Sequence, residues 1–154
     1  MPVCRSLILI VALSALVCAQ QTEKPMTQHA RGTFTVNVKP LTPSPVEGIS
    51  RFSIDKEIHG DLEATTKGEM FSGGDPKKGV AGYVAMEAVT GTLAGKHGSF
   101  ALQHLATMDH NGPKMTVLIV PGSGTGELTG ISGSFEIKIA NGQHSYDLEY
   151  TLPR

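Results

Sequence analysis

The sequence predicts an all-β chain folded as a single eight-stranded antiparallel β-barrel, with little or no helix, and three observations carry that expectation. From Gly32 onward apolar and polar residues alternate with period two, and no window holds a helical repeat for long. Runs rich in Thr, Val, Ile, Phe and Tyr are separated by Gly, Pro, Asn and Asp at the close intervals of a meander. Eight such runs are enough to close a sheet on itself, which removes exposed edges; a flattened sandwich is the alternative.

The expected strands are Gly32 to Val38, Ile49 to Ile58, Asp61 to Phe71, Gly82 to Leu93, Ser99 to Met108, Lys114 to Val120, Ser132 to Ile139 and Ser145 to Leu152. Their connections read as hairpins: "HGD" at His59 to Asp61, "AGKHG" at Ala94 to Gly98, "DHNGP" at Asp109 to Pro113 and "ANGQ" at Ala140 to Gln143. Asn111-Gly112 and Asn141-Gly142 are tight-turn signals, because both central residues of such turns take positive φ. The proline-rich "PLTPSP" from Pro40 to Pro45 reads as a connecting loop.

Ahead of the strands, Met1 to Ala19 has the form of a secretory signal peptide. Arg5 is its one charge, Leu7 to Val17 is apolar, and Val17-Cys18-Ala19 places small residues where a signal peptidase reads. The apolar run is too short to span a bilayer, which needs about 20 residues. A competing lipoprotein reading, with Cys18 lipidated, is disfavoured by Val17 immediately before the cysteine. The chain is therefore expected to be exported, periplasmic or secreted, with cleavage after Ala19, a flexible leader over residues 20–30 and the barrel over residues 31–154. Export leaves 135 of the 154 residues, enough for one domain and too few for two.

Both cysteines, Cys4 and Cys18, fall within the signal, so the mature chain is held by packing and barrel closure without a disulfide. Its 12 Lys and Arg against 14 Asp and Glu form no basic stripe, which argues against nucleic-acid and anionic-membrane partners.

The fourth and fifth strands carry the sharpest chemical signal. Tyr83, Ala85, Val89 and Leu93 share one face, opposite Phe100, Leu102, Ala106 and Met108. A turn centred on Gly95-Lys96 pairs positions so that Glu87 lies directly opposite His104 on that same face. In the last strand Tyr146, Leu148, Tyr150 and Leu152 alternate with polar residues, which turns two tyrosines inward. An acid and a base buried among apolar residues are either a proton-transfer or ligand-anchoring pair, with perturbed pKa values, or a satisfied polar pair that fixes register. The candidate ligand-binding set is Tyr83, Glu87, Phe100, His104, Tyr146 and Tyr150, and Glu87 and His104 are also the catalytic candidates.

Other motifs point to structure. "VPGSGTGELTGISGSF", Val120 to Phe135, holds five glycines, yet Glu127 and Thr129 stand where a dinucleotide fingerprint needs its third glycine. No Lys follows for a phosphate loop, so the glycines are expected to bend the chain between the sixth and seventh strands. His29, His59, His97, His110 and His144 fall in the leader or turns, and no metal site or cofactor is expected from them. Ser99, Ser132 and Ser134 lack the context of a hydrolase nucleophile.

Four segments carry a resemblance: "GTFTV" at Gly32 to Val36, "GDLEA" at Gly60 to Ala64, "VTGTLAGKHGSFALQH" at Val89 to His104 and "VPGSGTGELTGISG" at Val120 to Gly133. Together they resemble the bacterial family known as domain of unknown function 3224, which is similar in fold to the allene oxide cyclase barrel also found in dirigent proteins. The resemblance implies the barrel over the sandwich. It implies no catalytic residue, because the functional positions of those enzymes do not align onto this chain.

Three functions follow as expectations. The first is a binding module whose apolar interior holds a small hydrophobic ligand on a polar anchor. The second is a cyclase or isomerase in which Glu87 and His104 move a proton in the same pocket. The third is a filled barrel that acts as a structural or oligomerising protein, suggested by the apolar outward residues Val84, Met86, Ala88 and Leu105.

Overall fold

The computed structural model describes residues 26–44 and 46–153. The expected signal peptide, with Cys4 and Cys18, and the leader up to residue 25 lie outside the described residues. Nine strands run in chain order: β1 (Gln28–Leu41), β2 (Ile49–Gly60), β3 (Leu62–Asp75), β4 (Val80–Leu93), β5 (Lys96–Asp109), β6 (Gly112–Ile119), β7 (Thr125–Gly126), β8 (Ser132–Ala140) and β9 (Gln143–Thr151). A single 3-10 turn at Pro76–Lys78 is the only helical element among the described residues.

Eight of the nine strands close into an antiparallel barrel in the order β4-β3-β2-β1-β9-β8-β6-β5, with β5 returning to β4. Leaving aside the short β7, which lies between β6 and β8 in the chain, all but one of the contacts around the wall join successive strands. The exception is β1 with β9, where Gln28 pairs with Tyr150 and Phe34 with His144. β1 begins at Gln28, so the last residues expected in the leader are strand, and Ala30 is buried in the core. The short β7 was not foreseen; it pairs with β5 through Gly98 and Ser99.

Two turns differ from expectation. The β4–β5 turn is centred on Ala94 and Gly95, both at positive φ, and Leu93 pairs with Lys96. A two-residue turn of this hand needs two left-handed residues, and Ala94-Gly95 meets that need where Gly95-Lys96 does not. Glu87 therefore pairs with Leu102, and His104 with Ala85, rather than with each other. The β5–β6 turn is centred on His110-Asn111, with Gly112 already in β6 and Asn111 outside the left-handed region. The β8–β9 turn does place Asn141 and Gly142 at positive φ, as expected.

One end of the barrel is filled and the other is open. The glycine-rich connection between β6 and β8 folds over the first end and buries Leu128 and Ile131 there. Leu62, Leu93, Phe100, Leu148 and Tyr150 fill the same core. Each such aliphatic side chain contributes roughly 1.5–3 kcal/mol by leaving water. At the opposite end residues of inward parity stay in contact with solvent: Val38 is 46% exposed, Met115 45% and Ile139 64%. A packed core would not leave these side chains wet, so the barrel's interior opens there.

Candidate functional site

The open end is lined by alternate residues of successive strands, as period two requires. Phe52 on β2, Met70 on β3, Tyr83 on β4, Met108 on β5 and Met115 on β6 surround a mouth of about 370 Å³. Below it, and sharing Met70, Tyr83 and Met115, lies an inner cavity of about 160 Å³ that reaches Phe34, Lys56, Glu87 and His104. Space remains at this level because small residues, Gly68, Ala85 and Ala106, occupy inward positions. Gly68 is required there: a Cβ would lie 2.3 Å from the Met86 carbonyl oxygen and 2.6 Å from Glu87 Cγ.

Four buried polar side chains form the floor: Lys56, Thr66, Glu87 and His104. Lys56 Nζ donates to Glu87 Oε1, and Thr66 Oγ1 donates to Glu87 Oε2 at 2.7 Å. The backbone N–H of Lys56 donates in turn to Thr66 Oγ1 at 3.2 Å, which fixes the hydroxyl. His104 Nε2 stands 2.9 Å from Glu87 Oε1, but off the line of a hydrogen bond and without any other partner among the described residues. The Lys56 ammonium also lies 5.5 Å from the centre of the Phe34 ring.

Burial works against every charge here, and the network answers it unevenly. Burial opposes ionisation of Glu87, but His104 and the Lys56 ammonium outweigh it and hold the carboxyl at about 2, below its ordinary 4.5. Burial likewise pulls the Lys56 ammonium below its usual value, against the attraction of Glu87. Burial, and then Glu87, push the Tyr83 hydroxyl up; its O–H donates to Met115 Sδ at 3.8 Å across the mouth.

A pH dependence follows. The folded chain releases the Glu87 proton more readily than the unfolded one, so the stability from this group is complete above pH 4.5 and lost as pH falls towards 2. The difference corresponds to about 3 kcal/mol. Urea unfolding followed from about pH 6 to about pH 2 is expected to show that loss. A double variant, Glu87→Leu with Lys56→Met, is expected to lack this share of it.

Of the residues expected in the site, Tyr83, Glu87 and His104 line the inner cavity. Glu87 and His104 meet despite the altered register, because a diagonal pair on one face stays within reach. Phe100, Tyr146 and Tyr150 are inward, as expected, but lie in the filled core. Tyr146 stacks on Phe135 at 5.0 Å, and its oxygen accepts the Leu62 N–H at 3.0 Å. The Tyr150 hydroxyl donates to Gln28 Oε1 at 3.3 Å. Lys56 and Thr66 were missed. The alternation Phe52, Ile54, Lys56, Ile58 put Lys56 on an inward face and was the available signal.

Val84, Met86 and Leu105 are half or more exposed and, with Phe71 and Leu118, line a shallow depression on the outer wall. Its lining also includes Glu69, which accepts two hydrogen bonds from Arg51 at 2.7 and 2.6 Å. Among the described residues no helix is long and apolar enough to cross a membrane, and no cluster of His, Cys, Asp or Glu could hold a metal ion.

Residues 30–150 match the family described as "Protein of unknown function (DUF3224)". The chain is also similar to the crystal structure of a protein with unknown function from the DUF3224 family from Shewanella oneidensis MR-1. The two share 40% sequence identity with a TM-score of 0.75, over 84% of this chain and 100% of that one. Comparison with curated proteins finds no match.

Proposed function

The chain belongs to the DUF3224 family, whose description assigns no activity, and from that premise we propose that its barrel binds a small hydrophobic molecule in the open end. One observation carries the reading: an apolar cavity, reached through a methionine-lined mouth, stands over a buried polar floor of Lys56, Glu87 and His104. Ligand sites have this composition, with mostly apolar walls and a few convergent polar groups. Methionines adapt their shape to what they touch, which suits a mouth. The resemblance to allene oxide cyclase-like barrels supports the same reading, since those enclose hydrophobic intermediates. If residues 1–19 act as the export signal expected from the sequence, the ligand is one met outside the cytoplasm.

Native mass spectrometry of the protein from its own host tests both parts. The expected result is a chain beginning at Gln20 with extra mass that is lost on denaturation. The site itself is tested with N-phenyl-naphthylamine, an uncharged apolar fluorophore. Ala106→Trp fills the mouth and is expected to weaken dye binding at least about tenfold, the loss of about 1.4 kcal/mol. Undiminished binding by a folded Ala106→Trp protein would place the dye elsewhere and sink the proposed site.

A further inference from the structure

The barrel wall is uneven. Neighbours among the eight strands of the wall elsewhere pair over seven or more residues, whereas β6 and β8 share the single pair Leu118 with Ser134. Towards the open end both run on without pairing to each other, β6 back to Gly112 along β5 and β8 forward to Ala140 along β9. Pro113 in that stretch has no N–H to offer a partner. The resulting gap, about 420 Å³, is lined by Pro113, Met115, Val117, Phe135, Ile137 and Ile139, with Glu136 as its one charged residue. Met115, Ile137 and Ile139 line the inner cavity as well, so gap and cavity are continuous.

We propose that the bound molecule is a linear alkyl chain ending in an uncharged polar group, an alcohol, aldehyde or ketone, with its head at the polar floor and its tail passing out between β6 and β8. This rests on the ligand-binding reading of the cavity and names the class of ligand. The charge balance of the floor selects the head. Lys56 and Glu87 already neutralise each other, so a carboxylate head would meet Glu87 and an ammonium head would meet Lys56, each desolvated without compensation. An uncharged hydroxyl or carbonyl meets neither penalty and finds in His104 Nε2 a buried polar atom that lacks a hydrogen bond. The gap selects the tail: a closed cavity would stop rewarding added methylenes once full, whereas a slot leading outward past the apolar side chains of Met115, Val117, Phe135, Ile137 and Ile139 continues to bury them.

The test uses the full chain with Cys4→Ser and Cys18→Ser, titrated calorimetrically with hexanol, octanol, decanol and dodecanol. Affinity is expected to rise by about fourfold per methylene through the series. Into that background go Thr116→Cys and Glu136→Cys, both exposed and opposite each other when the register of Leu118 with Ser134 is extended. Joining the two thiols with a reducible crosslinker is expected to weaken dodecanol about tenfold or more and leave hexanol within about twofold, with reductant restoring the loss. The restoration separates a blocked slot from a misfolded chain. Binding of no alkanol to the uncrosslinked protein overturns the cavity reading and this one with it. Binding without gain beyond hexanol, or unaltered by the crosslink, overturns the tail's path alone, and decanoate binding more tightly than decanol overturns the uncharged head.

Discussion

Glu87→Gln is expected to lower the unfolding free energy by about 3–5 kcal/mol, the cost of leaving one member of a buried ion pair without its partner. Glutamine keeps the shape of the side chain and can still meet Thr66 and His104. It cannot neutralise Lys56, whose side chain is only 5% exposed and whose ammonium has no other carboxylate within ion-pair distance among the described residues. Lys56→Met added to Glu87→Gln is therefore expected to recover a large part of the loss, because the stranded charge goes with it. Urea unfolding of the wild type, both single variants and the double variant yields the coupling between the two positions. A cost below about 1 kcal/mol for Glu87→Gln would show that water reaches Lys56 and that the floor is not a dry charge pair. The same variants bear on ligand binding, since the head group is proposed to rest on this network.

The second large effect concerns the filled end. Gly124→Ala would put a Cβ 2.1 Å from the Leu128 carbonyl oxygen and 3.0 Å from Ile131 Cγ2. The nearer obstacle is backbone and cannot rotate aside, so the plug must move. Leu128 and Ile131 are each 1% exposed, and partial release of both is expected to cost about 3 kcal/mol or more. Gly122→Ala is the control. Nothing lies within 4 Å of its added Cβ, and its φ of 75° costs an alanine about 1–2 kcal/mol of backbone strain. Comparison of urea midpoints, with hydrogen exchange at the Leu128 and Ile131 amides, checks the order. Gly124 is not at positive φ, so equal costs for the two variants would mean that the backbone yields to the added Cβ without releasing Leu128 and Ile131, and would overturn the crowding argument.

The glycine stretch shows how far local pattern carries. The spacing of its glycines matches neither phosphate motif, and its role in turning the chain was legible from the same spacing. That it plugs the barrel, and buries Leu128 and Ile131 in doing so, was not, because which end it covers depends on where β6 and β8 stop. The same division holds for the site. Glu87 and His104 could be put on one face from the alternation of β4 and β5, and a turn misplaced by one residue left that face unchanged, because both strands shifted together. Lys56 and Thr66 reach Glu87 from β2 and β3. Their inward parity was readable, but their level along the barrel was not.

What is encoded locally in this chain is therefore the strand set, the inward face of each strand and the antiparallel order, since period two and hairpin turns act between near neighbours. The contact of β1 with β9 joins the two ends of the described chain, and closure through it sets which inward residues share a layer. Layering, in turn, puts Leu62, Leu93 and Leu148 together at one end and gathers Gly68, Ala85 and Ala106 around the cavity at the other. The cavity, the charged floor and the gap beside β6 are sums over several strands. No single stretch of sequence carries them, because the space left inside a barrel depends on the combined volumes of side chains that meet only once it has closed.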